Sequence, residues 1–256
     1  MSFWEIIVLS IIQGVAEFLP ISSSGHLVIA QHLFGLTNPE ANLLLIVLFH
    51  LASLIAIFVC FYDEIIDIIT NNFKVLFLII VGTIPAGLIG FFFAGYIEQL
   101  FTRPFLVGIG LMLTGLYMMV SELHWRGSTT SLERANIKQA LWVGIAQAVA
   151  IIPGISRSGV TLATGLFNDW EKQAAIKFSF LLAIPVIAGA SLLKLKDFSK
   201  LSVSFQPIPI LVGFIICLGV SLLSISFLVK MVRRGHLSYF AWYCLIVGLL
   251  VIIFVR

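Results

Sequence analysis

Residues 13–26 read QGVAEFLPISSSGH, and residues 147–160 read QAVAIIPGISRSGV. Laid together without a gap at a shift of 134, they agree at Gln13/Gln147, Val15/Val149, Ala16/Ala150, Ile21/Ile155, Ser22/Ser156, Ser24/Ser158 and Gly25/Gly159, seven of fourteen positions. Self-similarity at one fixed shift marks an internal duplication. Within each copy an apolar run is interrupted midway, by Pro20 in the first and Pro153–Gly154 in the second, followed by Ser and Gly. Pro removes a backbone donor and Gly loosens the helix, so each run is expected to bend back on itself.

Composition supplies the solvent. The 256 residues are 60% hydrophobic and 11% charged, whereas a soluble domain is about 25% charged. That excludes an ordinary soluble globular protein. Apolar runs long enough to cross about 30 Å of hydrocarbon are read at 43–61, 74–95, 104–121, 176–195, 208–230 and 238–255. Polar loops such as YDEIIDIITNNFK (62–74) and HWRGSTTSLERANIK (124–138) are expected between them. No Lys or Arg precedes Lys74, so the N-terminus lacks the basic start of a signal peptide and reads as membrane structure. Cys60, Cys217 and Cys244 lie in apolar runs without paired spacing, against both a disulfide framework and a zinc site. A net charge of +3, dispersed along the chain, points to no nucleic-acid partner.

Moved by 134, the first three spans land on the last three. Non-helical backbone at membrane depth is tolerated only where protein or a water-filled cavity surrounds it, so the quoted stretches read as re-entrant hairpins. One hairpin and three crossings are an odd number of passes, and the second copy must start from the opposite side. The expected fold is therefore an all-α polytopic membrane protein, a single integral membrane domain over 1–256. It has six transmembrane helices, two re-entrant helix–break–helix hairpins, and an inverted-topology repeat of about 1–123 and 135–256. On this topology Lys74, Arg126, Arg134, Lys138, Lys172, Lys177, Lys230, Arg233 and Arg234 fall on one side, with Arg103, Lys194, Lys196, Lys200 and Arg256 on the other. The positive-inside rule makes the first set cytoplasmic and turns both termini outward.

The two copies differ at ionisable positions. Glu17 stands opposite Ile151, Ser23 opposite Arg157, and His26 opposite Val160. Glu17 and Arg157 are each costly in hydrocarbon and mark a polar cavity, either as a functional site or as a structural ion pair. Ser22 and Ser158 suit helix caps as well as ligand contacts. Ser23 beside a carboxylate, with His26 three residues on and Arg157 opposite, is the inventory of an activated nucleophile. Arg matches phosphate oxygens bidentately, and backbone N–H groups at Gly25, Gly154 and Gly159 can cradle the rest. A phosphate is the expected ligand. Mg²⁺ commonly uses one or two carboxylates plus substrate phosphate, which Glu17 with the Gln13 amide could supply. His32 and His50 read as satisfied structural histidines in preference to cavity-lining ones, although His50 lies early in its span, where a polar residue needs a reason; His124 and His236 read as loop residues, and Asp63, Glu64 and Asp67 as a wet loop.

At these residues the sequence resembles the bacterial undecaprenyl-diphosphate phosphatase family, the group also linked to bacitracin resistance. The resemblance rests on an (E/Q)xxxE segment running into SSxGH, here Gln13–Glu17 and Ser22–His26, and on PGxSRSxxT, here Pro153–Thr161. It implies hydrolysis of the terminal phosphate of undecaprenyl diphosphate, giving the monophosphate carrier of cell-wall synthesis in the bacterial inner membrane. It also implies a divalent cation, Mg²⁺ or Ca²⁺. By motif, Glu17 and His26 become catalytic or metal-linked, Ser23 the nucleophile, and Arg157 with Ser156 and Thr161 the diphosphate clamp. Gln13, Ser22, Ser24, Gly25, Gly154 and Ser158 join them as substrate contacts. Gln13 departs from the pattern, because many members carry Glu there. The working expectation is that His26 deprotonates Ser23, with activated water as the variant, and that the prenyl tail lies near 73–77 or 91–93. A lipid-phosphate flippase needs the same Arg but no nucleophile. The type-2 phosphatidic-acid phosphatase pattern fails at Ala163 and Tyr96. A homodimer is among the assembly states the sequence leaves open.

Overall fold

A computed structural model describes residues 1–36, 39–101, 103–198 and 207–255. Lys200 and Arg256, used in the charge count above, lie outside the described residues. Twelve α-helices occur among them: α1 (Phe3–Ala16), α2 (Ser23–Leu33), α3 (Pro39–Cys60), α4 (Tyr62–Thr70), α5 (Phe73–Phe92), α6 (Ala94–Leu100), α7 (Pro104–His124), α8 (Ile137–Val149), α9 (Arg157–Phe167), α10 (Lys172–Phe198), α11 (Pro207–Arg233) and α12 (Leu237–Phe254). Five of these are long and apolar enough to cross a bilayer, and α3 and α4, bent by 73° at their junction, meet the same test only when taken together. The chain is a multi-pass membrane protein.

The shift of 134 carries helix onto helix. Ser2 opens α1 with a capping box to Glu5, and Asn136 opens α8 with a capping box to Gln139. Ser22 and Ser156 cap α2 and α9, each accepting from the amide three residues on, Gly25 or Gly159. A side-chain oxygen that accepts one of the orphan first-turn amides fixes where a helix starts. The breaks therefore have a local cause in both copies. Helix α1 packs on α11 and α8 packs on α5, so each copy's hairpin is seated against a span of the other copy.

Small residues allow the close approaches. A side chain on Gly144 would come within 2.3 Å of the Gly82 carbonyl oxygen, where α8 crosses α5. Gly108, Gly115 and Gly248 do the same between α7 and α12, the usual means by which membrane helices reach van der Waals packing without a hydrophobic driving force. Outward, Trp4, Phe73, Phe91, Phe92 and Leu223 stay exposed to the apolar surroundings. The α12 N-terminus is capped from α7: the Glu122 carboxylate accepts from the amides of Leu237 at 3.2 Å and Ser238 at 2.6 Å. Glu122→Ala should lower stability by about 1–2 kcal/mol, read as a lower midpoint of thermal unfolding in detergent. An unchanged midpoint would mean that water replaces the carboxylate.

One expected loop is a helix. YDEIIDIITNNFK contains α4, with Asp63 and Glu64 in its first turn and Ile68 buried. Acidic residues at a helix N-terminus oppose the macrodipole favourably, and Glu64 also pairs with Lys177 at 3.2 Å. The second expected loop holds only a 3₁₀ turn at Leu132–Arg134 and an isolated bridge from Thr130 to Trp170.

Candidate active site

The two breaks meet. A side chain on Gly25 would sit 3.1 Å from Gly154 Cα, and Gly154 itself lies at φ +89° against Val107 of α7. Ser22 Oγ donates across to the Ile155 carbonyl at 3.5 Å, and Ser158 Oγ donates to the Leu19 carbonyl at 3.3 Å. Ser22 holds φ 71°, a left-handed conformation rare for Ser, fixed here by its cap and by this crossing contact. The N-termini of α2 and α9 thus open on one shared place.

Glu17, the last residue of the α1 turn, is 7% exposed. Its Oε2 accepts from Gln13 Nε2 at 2.9 Å and from Ser23 Oγ at 2.7 Å, and its Oε1 accepts from Arg157 Nη2 at 2.8 Å. Gln13 reaches it because residues four apart share one helix face. Ser23 and Arg157 reach it because each is the first residue of its half-helix, the same position in the two copies. Arg157 Nη1 also donates to the Ser179 carbonyl at 3.4 Å. Thr161 supports the Arg157 turn, donating to the Arg157 carbonyl at 2.8 Å and meeting Ser179 Oγ at 2.6 Å.

His26 has other partners. Its Nδ1 meets the Ser22 carbonyl at 2.9 Å and its Nε2 meets Tyr243 Oη at 2.8 Å. A donor at Nδ1 leaves Nε2 to accept the phenol proton. Both ring nitrogens are then engaged away from Ser23, whose hydroxyl is held by Glu17 instead. The serine caps likewise take the Gly25 and Gly159 amides that were expected to face an anion. The first-turn amides of Ser23, Ser24, Arg157 and Ser158 have no intrahelical partner, and these are the N–H groups that the α2 and α9 ends offer. Ser156 N–H goes to Thr114 Oγ1 at 3.0 Å, and Ser156 Oγ lies 3.3 Å from Ser158 Oγ.

Sequence reasoning missed Ser179, Thr114 and Tyr243, and it preferred a structural role for His50 over a place in the cavity. His50 Nε2 lies 3.7 Å from Glu17 Oε2. Its place early in a span was a visible signal; its neighbour was not. Among the described residues no group of three His, Cys, Asp or Glu could hold a metal ion. Gln13 turns its Nε2 to Glu17, and its Oε1 is a buried acceptor with no partner.

Residues 6–250 match the model of the family described as bacitracin resistance protein BacA. A protein of Carboxydothermus hydrogenoformans named undecaprenyl-diphosphatase is 38% identical, over 99% of this chain and 97% of its own length. Proteins of the same name from Halothermothrix orenii and Methanosphaera stadtmanae are each 40% identical, the first over 99% of this chain and 98% of its own, the second over 96% of both. With a family match over nearly its whole length and relatives this similar from end to end, the chain belongs to the bacitracin resistance protein BacA family.

Proposed function

We propose that the chain hydrolyses the terminal phosphoanhydride bond of undecaprenyl diphosphate, releasing inorganic phosphate and the monophosphate lipid. The observation that carries this reading is the buried Glu17 carboxylate shared between Ser23 of one break and Arg157 of the other. An incoming diphosphate competes with Glu17 for the Arg157 guanidinium, whose planar fork suits phosphate oxygens. Freed on that side, Glu17 keeps Ser23 oriented. Ser23 Oγ attacks the terminal phosphorus, its proton passes to Glu17, and the bridging bond breaks with undecaprenyl phosphate as leaving group. Water then cleaves the phosphoserine, and inorganic phosphate leaves. His26, held between Ser22 and Tyr243, orients the first turn of α2. Glu17 and, with its amide turned over, the Gln13 Oε1 would hold a divalent cation, which would supply charge neutralisation to the phosphates. A flippase would need Arg157 but gives no reason for a serine hydroxyl held on a buried carboxylate.

The part of the prenyl tail next to the diphosphate would lie in a groove of 620 Å³ lined by apolar side chains of α3, α4, α5 and α10, among them Leu76, Ile80, Ile84 and Ile184. Ile184 lies on α10 five residues beyond Ser179, about 7.5 Å along the axis, so one helix carries both the Arg157 contact and the groove wall. Only Leu76 of the 73–77 segment lines it, and the Phe91–Phe93 run does not. On this reading the halves 1–123 and 135–256 are inverted repeats in the bacterial inner membrane. Both termini and the site's mouth face outward.

Detergent-purified protein should release phosphate from undecaprenyl diphosphate, and EDTA should stop it. Ser23→Ala should lower the rate at least about 10³-fold. Full activity in Ser23→Ala would hand the attack to water, and no release with any cation would overturn the hydrolase reading.

A further inference from the structure

Among the described residues, His50 is the one imidazole near Glu17 with a ring nitrogen that has no hydrogen-bond partner. Its Nδ1 lies 2.7 Å from the Ile46 carbonyl one turn earlier on α3, and a carbonyl can only accept, so Nδ1 carries the proton. In the neutral ring Nε2 then carries the lone pair, and it lies 3.7 Å from Glu17 Oε2. That distance is too long for a hydrogen bond, and a lone pair against a carboxylate repels unless a positive species, a proton on Nε2 or a cation, lies between. Two ligands each about 2.1 Å from one ion can stand up to about 4.2 Å apart, so the gap is within the span of a shared cation. A histidine that binds a metal through one nitrogen regularly donates the other to a backbone carbonyl, which is the arrangement found here.

The remaining donors agree. Gln13 is fully buried, and its Oε1 has no partner while Nε2 faces Glu17. Turning the amide over gives up the Nε2–Glu17 hydrogen bond and presents the oxygen to the same place, where a bound cation would take it. Glu17 divides its oxygens, Oε1 to Arg157 and Oε2 toward His50. We propose that His50 Nε2 is a nitrogen ligand of the divalent cation, beside Glu17 Oε2 and the Gln13 amide oxygen. The donor set is then mixed nitrogen and oxygen, which favours Mn²⁺, Co²⁺ or Zn²⁺ over Ca²⁺. This rests on the hydrolase reading only for the presence of a cation.

The test is pulsed electron paramagnetic resonance of Mn²⁺ added to detergent-purified full-length protein labelled with ¹⁵N-histidine, beside His50→Gln. The expected result is ¹⁵N coupling to the bound ion, lost in His50→Gln, with Mn²⁺ affinity lowered at least about tenfold. Absence of ¹⁵N coupling in the unsubstituted protein overturns the proposal without needing the variant, as does coupling that persists in His50→Gln. Absence of Mn²⁺ binding also overturns it. Phosphate release without ¹⁵N coupling would sink the ligand and keep the hydrolase. Coupling without phosphate release would do the reverse.

Discussion

Arg157→Ala should abolish phosphate release and lower stability together. The guanidinium is the positive partner of a carboxylate that is 7% exposed. Removing one member of a buried ion pair leaves the other charge uncompensated, at a cost of about 3–5 kcal/mol. Glu17→Gln alone should cost less, because Gln13 and Ser23 can still hydrogen-bond the amide. The double variant Glu17→Gln, Arg157→Ala should recover part of the lost stability, and a double-mutant cycle on unfolding midpoints reads that coupling. Arg157→Lys keeps the charge but not the fork, so it should restore stability better than rate. If Arg157→Ala leaves the midpoint unchanged, the charge on Glu17 is held by Gln13 and Ser23 without it.

Gly154→Ala should be the most damaging small change in the molecule. Its backbone sits at φ +89°, and a methyl group there would lie 2.2 Å from the Val107 carbonyl oxygen, a main-chain atom that cannot rotate away. Left-handed strain and overpacking each cost about 1–3 kcal/mol. Their sum, about 2–6 kcal/mol, should remove most folded protein from membranes, read by size-exclusion chromatography of the detergent extract. Gly219→Ala, where nothing lies within 4 Å of the added carbon, is the matching control. It should be neutral or slightly stabilising, since Ala is the better helix former by about 1 kcal/mol. Equal behaviour of the two would mean that the second break can shift away from α7.

Much of this was legible in the residues because its causes are local. Pro20 and Pro153–Gly154 broke their helices where the sequence placed them, and five of the six expected spans fell where apolar length put them. The Gln13–Glu17 contact follows from a spacing of four on one helix. The rest depends on partners far away in the chain. Nothing near Ser23 says that its hydroxyl turns to Glu17, since His26 is as close in sequence and is drawn off by Tyr243, 217 residues on. His50 reads as an isolated polar residue until α3 is laid beside the end of α1. The α4 segment misled for a different reason: its three acids suggested a loop, while its isoleucines carry a short helix with one buried side chain.

The exchange of hairpins between halves also sets an order of events for a chain that is made from one end. Glu17 emerges from the ribosome 140 residues before Arg157, and α1 emerges some two hundred residues before the α11 surface that seats it. At about 5–20 residues per second, Glu17 waits about 7–28 s for its counter-ion. During biogenesis the first half is therefore an incomplete intermediate with a carboxylate that has no cationic partner, and it becomes a closed structure only when translation of the second half is nearly finished.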